Sequence, residues 1–269
     1  MRVTVAQLAV SDDAAANRHV VRNAVRAAAS LRSQVLVLPE YSSAFDPDGV
    51  GPEHAEPLDG PFVTFLREQA RAHGLAVVAG TLVPGSDAEH AVNTVVAVDA
   101  TGRLVGTYRK VHLYDAFGHR ESDRIEPGPA EAPPLVLDVG AVRLGVMTCY
   151  DLRFPESARR LVDAGADVLV VPAAWASGPL KLEHWRTLAA ARAIENTAVV
   201  LAVGQAGRGV VGHSLLVGPD GQVGLELGDG PEVRTVDLDP SLLAGVRERN
   251  PSLANRRYAV VPREPGLRT

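Results

Sequence analysis

Short apolar runs rich in Val, Leu and Ala recur along the chain, separated by Ala/Arg-rich stretches of helical period or by turns. This alternation limits the fold more than any other feature. "RVTVAQLAV", "QVLVL", "LAVVAGTLV", "PLVLDV", "VRLGVMTC", "ADVLVVP", "TAVVLAV" and "EVRTVDLD" read as strands. Between them, Ala14 to Leu31 places Val20, Val21, Ala24, Val25, Ala28 and Leu31 at helical spacing. Pro61 to His73 is predicted helical, with Pro in the first turn and Gly74 as its stop. Pro155 to Ala164 and Leu182 to Asn196 complete the helices. "NTVVAVDATGRLVGTYRK" and "GVVGHSLLVGPDGQVGLEL" read as hairpins. The order points to an α/β chain of two βαβ-like halves, with two sheets facing each other and helices outside. "SQVLVLPEYSSAF" and "ADVLVVPAAWASG" resemble one another and hint at an internal repeat. No linker divides the 269 residues, so a single domain spanning 1–269 is expected, with an extended tail from about residue 240.

Composition narrows the function. The 46% apolar share supports a sizeable core, and a net charge of −5 without long runs favours neither nucleic acid nor an anionic membrane as partner. A single cysteine excludes an internal disulfide framework and fits a reducing cytoplasm. The N-terminal segment is too interrupted for a signal-peptide core, and no run of about 18 apolar residues offers a membrane span. No His/Cys spacing suits a metal, and "GQAGRG" lacks the context of a dinucleotide fingerprint, so neither metal nor organic cofactor is expected. The only lysines are Lys110 and Lys181 in a chain otherwise using Arg, which marks both as positions that Arg does not readily fill.

Ligands gather outside the carboxyl ends of strands in α/β sheets. Glu40 closes "VLVLPE", Lys110 closes "LVGTYRK" and Cys149 closes "LGVMTC". Taken singly, these read as a surface carboxylate, an edge lysine and an inert thiol. Taken together they fit nucleophilic acyl transfer through a thioester. A thiol needs a base, and none of the eight histidines is an obvious partner. Glu40 can fill that role if partly buried, with His112 as the next candidate. Lys110, with the backbone N–H of Tyr150, would hold the oxyanion. The loop from Tyr114 to Pro134 is long enough to be functional.

"LVLPEYSS", "YRKVHLYD", "ESDRIEPG" and "CYDLRFPE" follow one another in the order and spacing of the nitrilase, or carbon–nitrogen hydrolase, superfamily, and the likeness runs on to about Asp239. The resemblance implies a four-layer αββα sandwich whose dimers stack helix on helix. It matches Glu40 to the catalytic base, Lys110 to the catalytic lysine and Cys149 to the nucleophile. It also assigns a second glutamate to Glu121 rather than Glu126. "CYDLRFPE" resembles the amidase-like branch that includes ω-amidase and deaminated glutathione amidase, and a Tyr-Asp pair after the cysteine argues against a true nitrilase. A small carboxylated amide is the expected substrate, with an N-carbamoyl compound or a nitrile as alternatives. An inactive scaffold of the same fold is the rival from another class. Arg153 either meets a substrate carboxylate or pairs with Asp151 or Glu156, and Trp175 either walls the pocket or simply packs. A homodimer or larger assembly is expected.

Overall fold

The computed structural model describes residues 1–263. The first half runs β1 (Arg2–Gln7), α1 (Ala14–Ser30), β2 (Val35–Val37), α2 (Pro61–His73), β3 (Ala76–Pro84), β4 (Ala91–Val98) and β5 (Leu104–Arg109). A two-stranded excursion, β6 (Asp115–Ala116) and β7 (His119–Arg120), interrupts the long loop. The second half runs β8 (Val136–Val139), β9 (Val142–Val146), α3 (Pro155–Asp163), β10 (Val168–Ala173), α4 (Lys181–Asn196), β11 (Val199–Gly204), β12 (Leu215–Val217) and β13 (Val223–Glu226). The strand β14 (Glu232–Asp237) and the helix α5 (Pro240–Arg249) follow.

The strands form two six-stranded sheets of matching topology. One is ordered β14-β1-β2-β3-β4-β5 and the other β8-β9-β10-β11-β12-β13. In each, three central strands are parallel (β1-β2-β3 and β9-β10-β11), and antiparallel strands flank them. The repeat hinted at in the sequence is therefore the pair β2 and β10, the middle parallel strands of the two halves. Period-two alternation divides each of these strands between two cores. Val35 and Val37 join Val168 and Val170 in the layer between the sheets. Leu36 and Leu38 face α1 and α2, while Leu169 and Val171 face α3 and α4. Strands covered on both faces must be apolar on both faces, which explains the unbroken runs. The result is the expected αββα layering.

The extended tail expected from residue 240 is a correction. Pro240–Arg249 is helical, its start fixed by the Asp239 side chain accepting from the Ser241 N–H and by Pro in the first turn. Leu243 and Val246 bury its inner face. Arg and Pro density masked these start signals, and irregular chain begins only after this helix. Among the described residues, no helix is long and apolar enough to cross a membrane.

Candidate active site

Glu40, Lys110 and Cys149 all lie beyond the carboxyl ends of strands, at one edge of the space between the sheets. The strands end earlier than the sequence indicated: Glu40 is three residues past β2, and Cys149 three past β9. Those extra residues turn the side chains inward. After β2 the backbone bends through Tyr41, whose φ is +56°. The bend passes so close to β3 that a Cβ on Gly80 would lie 2.5 Å from the Glu40 Cα, so glycine is required there. After β9, Cys149 takes φ +47° and opens a 3-10 turn, Cys149–Arg153. A positive φ on a non-glycine residue is strain that the surroundings must hold. Thr148 and Asp151 hold it here. The Thr148 hydroxyl donates to the Pro172 carbonyl at 2.8 Å, and the Asp151 carboxylate accepts from the Thr148 N–H at 3.0 Å. Asp151 is fixed in turn by the Tyr108 hydroxyl at 2.7 Å and by His112 Nδ1 at 2.7 Å. A sharp strand-to-helix turn of this kind presents a nucleophile on a rigid base.

The four polar residues are all buried: Glu40 is 1% exposed, Lys110 2%, Glu121 6% and Cys149 8%. Lys110 Nζ donates to Glu40 Oε1 at 3.0 Å and to both Glu121 oxygens at 2.9 Å. Glu121 Oε1 also accepts from the Tyr41 hydroxyl at 2.8 Å, and Oε2 from the Tyr114 N–H at 2.5 Å. Glu40 Oε1 accepts from Asn93 Nδ2 at 2.6 Å, and Oε2 from the Ala174 N–H at 2.7 Å. Ala174 follows β10, so the ends of the two equivalent strands meet at this carboxylate. Glu126, the alternative to Glu121, accepts instead from Ser86 on the surface.

Burial works against the Lys110 charge, but the Glu121 and Glu40 carboxylates outweigh it and hold the ammonium well above its usual pKa. Burial opposes ionisation of Glu121 too, yet Lys110 and the Tyr114 and Tyr41 donors keep it below the usual range. The Cys149 thiol is pushed well above its usual value, by burial first and then by the neighbouring Glu40 charge, with Lys110 opposing. Lys110 and Glu121 thus rest as an ion pair beside a neutral thiol. Moving the thiol proton to Glu40 leaves the total charge unchanged, so no proton has to leave the buried cluster. Tyr150 is the second residue of the 3-10 turn, where a backbone N–H has no acceptor within the helix.

Arg153 does not pair with Asp151, which His112 and Tyr108 occupy. Its guanidinium lies 5.0 Å from the Trp175 ring centroid and 3.2 Å from His184 Nδ1. Trp175 is buried, and its Nε1 donates to the Lys181 carbonyl at 2.9 Å. Sequence reasoning missed Asn93, Tyr41 and Tyr114. Asn93 left one signal, a polar residue amid the apolar run of β4. Tyr114 acts through its backbone N–H, which no side-chain pattern reveals.

The family described as "Carbon-nitrogen hydrolase" matches residues 2–248. Deaminated glutathione amidase of Escherichia coli O157:H7 is 36% identical over 261 residues, 96% of this chain and 98% of that one. The human protein of that name is 34% identical, covering 95% of this chain and 82% of its own length. A mutant amidase from Nesterenkonia sp. AN1, showing Michael addition of acrylamide at its active-site cysteine, superposes with a TM-score of 0.77 at 30% identity, covering 95% of this chain and 98% of that one. A CN-hydrolase superfamily protein from Xanthomonas campestris, with an arsenic adduct in its active site, gives a TM-score of 0.84 at 27% identity, covering 97% and 99%. An αββα sandwich with a buried cysteine at the sheet edge defines a class of hydrolases that act on C–N bonds. The chain belongs to the carbon–nitrogen hydrolase family, within the nitrilase superfamily.

Proposed function

We propose that this enzyme hydrolyses the amide of a small carboxylated acid, with Cys149 as nucleophile, Glu40 as proton carrier, Lys110 and the Tyr150 N–H as oxyanion donors, and Glu121 as the anchor of Lys110. One observation carries the reading: a buried lysine, Lys110, donates to two buried carboxylates, Glu40 and Glu121, in the same enclosed cluster as the chain's single cysteine, Cys149. Glu40 takes the thiol proton as sulfur attacks the amide carbon. The carbonyl oxygen gains the electron pair and is held by Lys110 and the Tyr150 N–H. Protonating Glu40 weakens its hold on Lys110, which releases an N–H for the oxyanion at that moment. Glu40 returns the proton to the nitrogen, the C–N bond breaks, and ammonia or an amine leaves a thioester on Cys149. Water, deprotonated by Glu40, then releases the acid and restores the thiol.

The names of the relatives in Escherichia coli and human support an amide over a nitrile or N-carbamoyl substrate. Ammonia release from a panel of amides tests this. Carbon dioxide release alongside ammonia would identify an N-carbamoyl hydrolase instead, and a panel without turnover would favour an inactive scaffold. Glu40→Gln keeps the shape and removes the base, so kcat should fall on the order of 10²-fold or more. Near-wild-type turnover in that variant would move the role elsewhere. The enzyme works in the cytoplasm as a homodimer or larger assembly. Ile194, 49% exposed on α4, supports helix-on-helix pairing. Sedimentation as a monomer at micromolar concentration would refute the assembly.

A further inference from the structure

Lys181, the second of the two lysines, takes no part in the chemistry above, yet it is only 6% exposed. It opens α4, and its Nζ sits 3.6 Å from the centroid of the Phe117 ring. The Tyr114 hydroxyl is 2.5 Å from that ammonium. Arg153 shares this aromatic-walled space, its guanidinium 5.6 Å from the centroid of the same Phe117 ring. Among the described residues, neither the buried Lys181 nor the partly buried Arg153 has a carboxylate within ion-pair distance, whereas the buried cations Lys110 and Arg192 are both paired. The Arg153 Nε is buried without any hydrogen-bond partner. Burial and the neighbouring Arg153 charge both lower the Lys181 pKa, while Cys149 is near enough to raise it. Ring faces compensate a buried cation only in part. Two cations of like sign beside the nucleophile, one with a donor unfilled, lack a counter-ion that the protein does not supply.

The structure assigns Lys181 and Arg153 as a joint subsite for a carboxylate on the acyl portion of the amide, set apart from the carbon that Cys149 attacks. This rests on the amidase reading above and adds the residues that choose the substrate. Arg153 offers a planar fork for two oxygens, and Lys181 a compact charge held between Phe117 and Tyr114. Arg153 belongs to the turn that begins at Cys149, so an anion seated there is registered against the sulfur through five residues of rigid backbone. The exposed Phe117, with φ +57°, closes the space from the solvent side on the β6–β7 excursion.

The test compares succinamate with succinamide, which share a skeleton and differ in one charge, in the wild type, Lys181→Met and Lys181→Arg. Wild type should favour succinamate in kcat/KM. In Lys181→Met the succinamate-to-succinamide ratio should drop at least about 10-fold, chiefly through KM for the anion, and Lys181→Arg should restore part of it. An unchanged ratio in Lys181→Met, or equal losses on both amides, would overturn the subsite. Calorimetry with succinate on Cys149→Ala reads the subsite without turnover, and adding Lys181→Met should weaken binding at least about 10-fold. If wild type hydrolyses neither amide, the amidase reading fails, and succinate binding alone decides the subsite: equal affinity with and without Lys181 refutes it.

Discussion

Cys149→Ala should abolish amide turnover, a loss on the order of 10⁴-fold or more, while leaving the fold intact. The reason lies in how little else the sulfur does. It fills a small volume at the start of the 3-10 turn, and the turn is held by Thr148 and Asp151 rather than by the thiol. Circular dichroism and thermal unfolding should therefore match wild type closely. Iodoacetamide should label wild type at one site and the variant at none, since no second cysteine exists. The thiol also carries a pH signature. Burial and the Glu40 charge hold it above its usual value of 9.0, so an ultraviolet difference titration of wild type against Cys149→Ala should show no thiolate at neutral pH. The resting enzyme then differs from a cysteine–histidine ion pair: its nucleophile forms only as Glu40 accepts the proton. Wild-type turnover in Cys149→Ala, or a full thiolate signal at pH 7, would sink this account.

Much of this architecture was legible because both faces of the central strands are covered. "VLVLP" and "VLVVP" must be apolar at every position, and their likeness hinted at the internal repeat; that the Ala174 N–H meets Glu40 is seen only in the structure. Glu40, Lys110 and Cys149 stood out because each breaks an apolar run. Glu121 did not: it sits in a charged loop, and only the family resemblance separated it from Glu126. What makes it functional is a fold-level event, the β6–β7 excursion turning the Glu121 carboxylate back onto Lys110 and the Tyr114 N–H. Asp151, with Glu156, is one candidate partner for Arg153 by proximity in sequence. Its preference for Tyr108 and His112 depends on β5 lying beside the turn, which no local pattern encodes. The helix α5 carried its start signals plainly in Asp239 and Pro240, and composition obscured them.

Lys110→Met should be the most damaging change to fold and activity together. The buried cluster balances two carboxylates against one ammonium. Removing the ammonium leaves Glu40 and Glu121 facing each other in a site almost closed to water, with Asn93 reaching both. Breaking a buried ion pair from one side costs about 3–5 kcal/mol, since the remaining charge is uncompensated. One oxyanion donor is lost as well, a further factor on the order of 10²–10³ in kcat. The pH dependence should change sign. In wild type, Glu121 titrates below its usual value when folded, so its stabilising effect is present above the unfolded pKa and is lost as pH falls through the folded one. In Lys110→Met, two uncompensated carboxylates raise the folded pKa, so the folded state binds more protons than the unfolded chain, and stability falls as pH rises. Urea unfolding should therefore separate wild type from Lys110→Met more widely at pH 8 than at pH 5. Adding Glu121→Gln removes one of the two facing charges and should recover part of the lost stability without recovering turnover. Lys110→Arg keeps the charge but presents a larger planar group to three oxygens arranged around a point, and should remain strongly impaired in kcat. A Lys110→Met protein as stable as wild type at pH 8, or no recovery on adding Glu121→Gln, would show that charge balance is not what this lysine supplies.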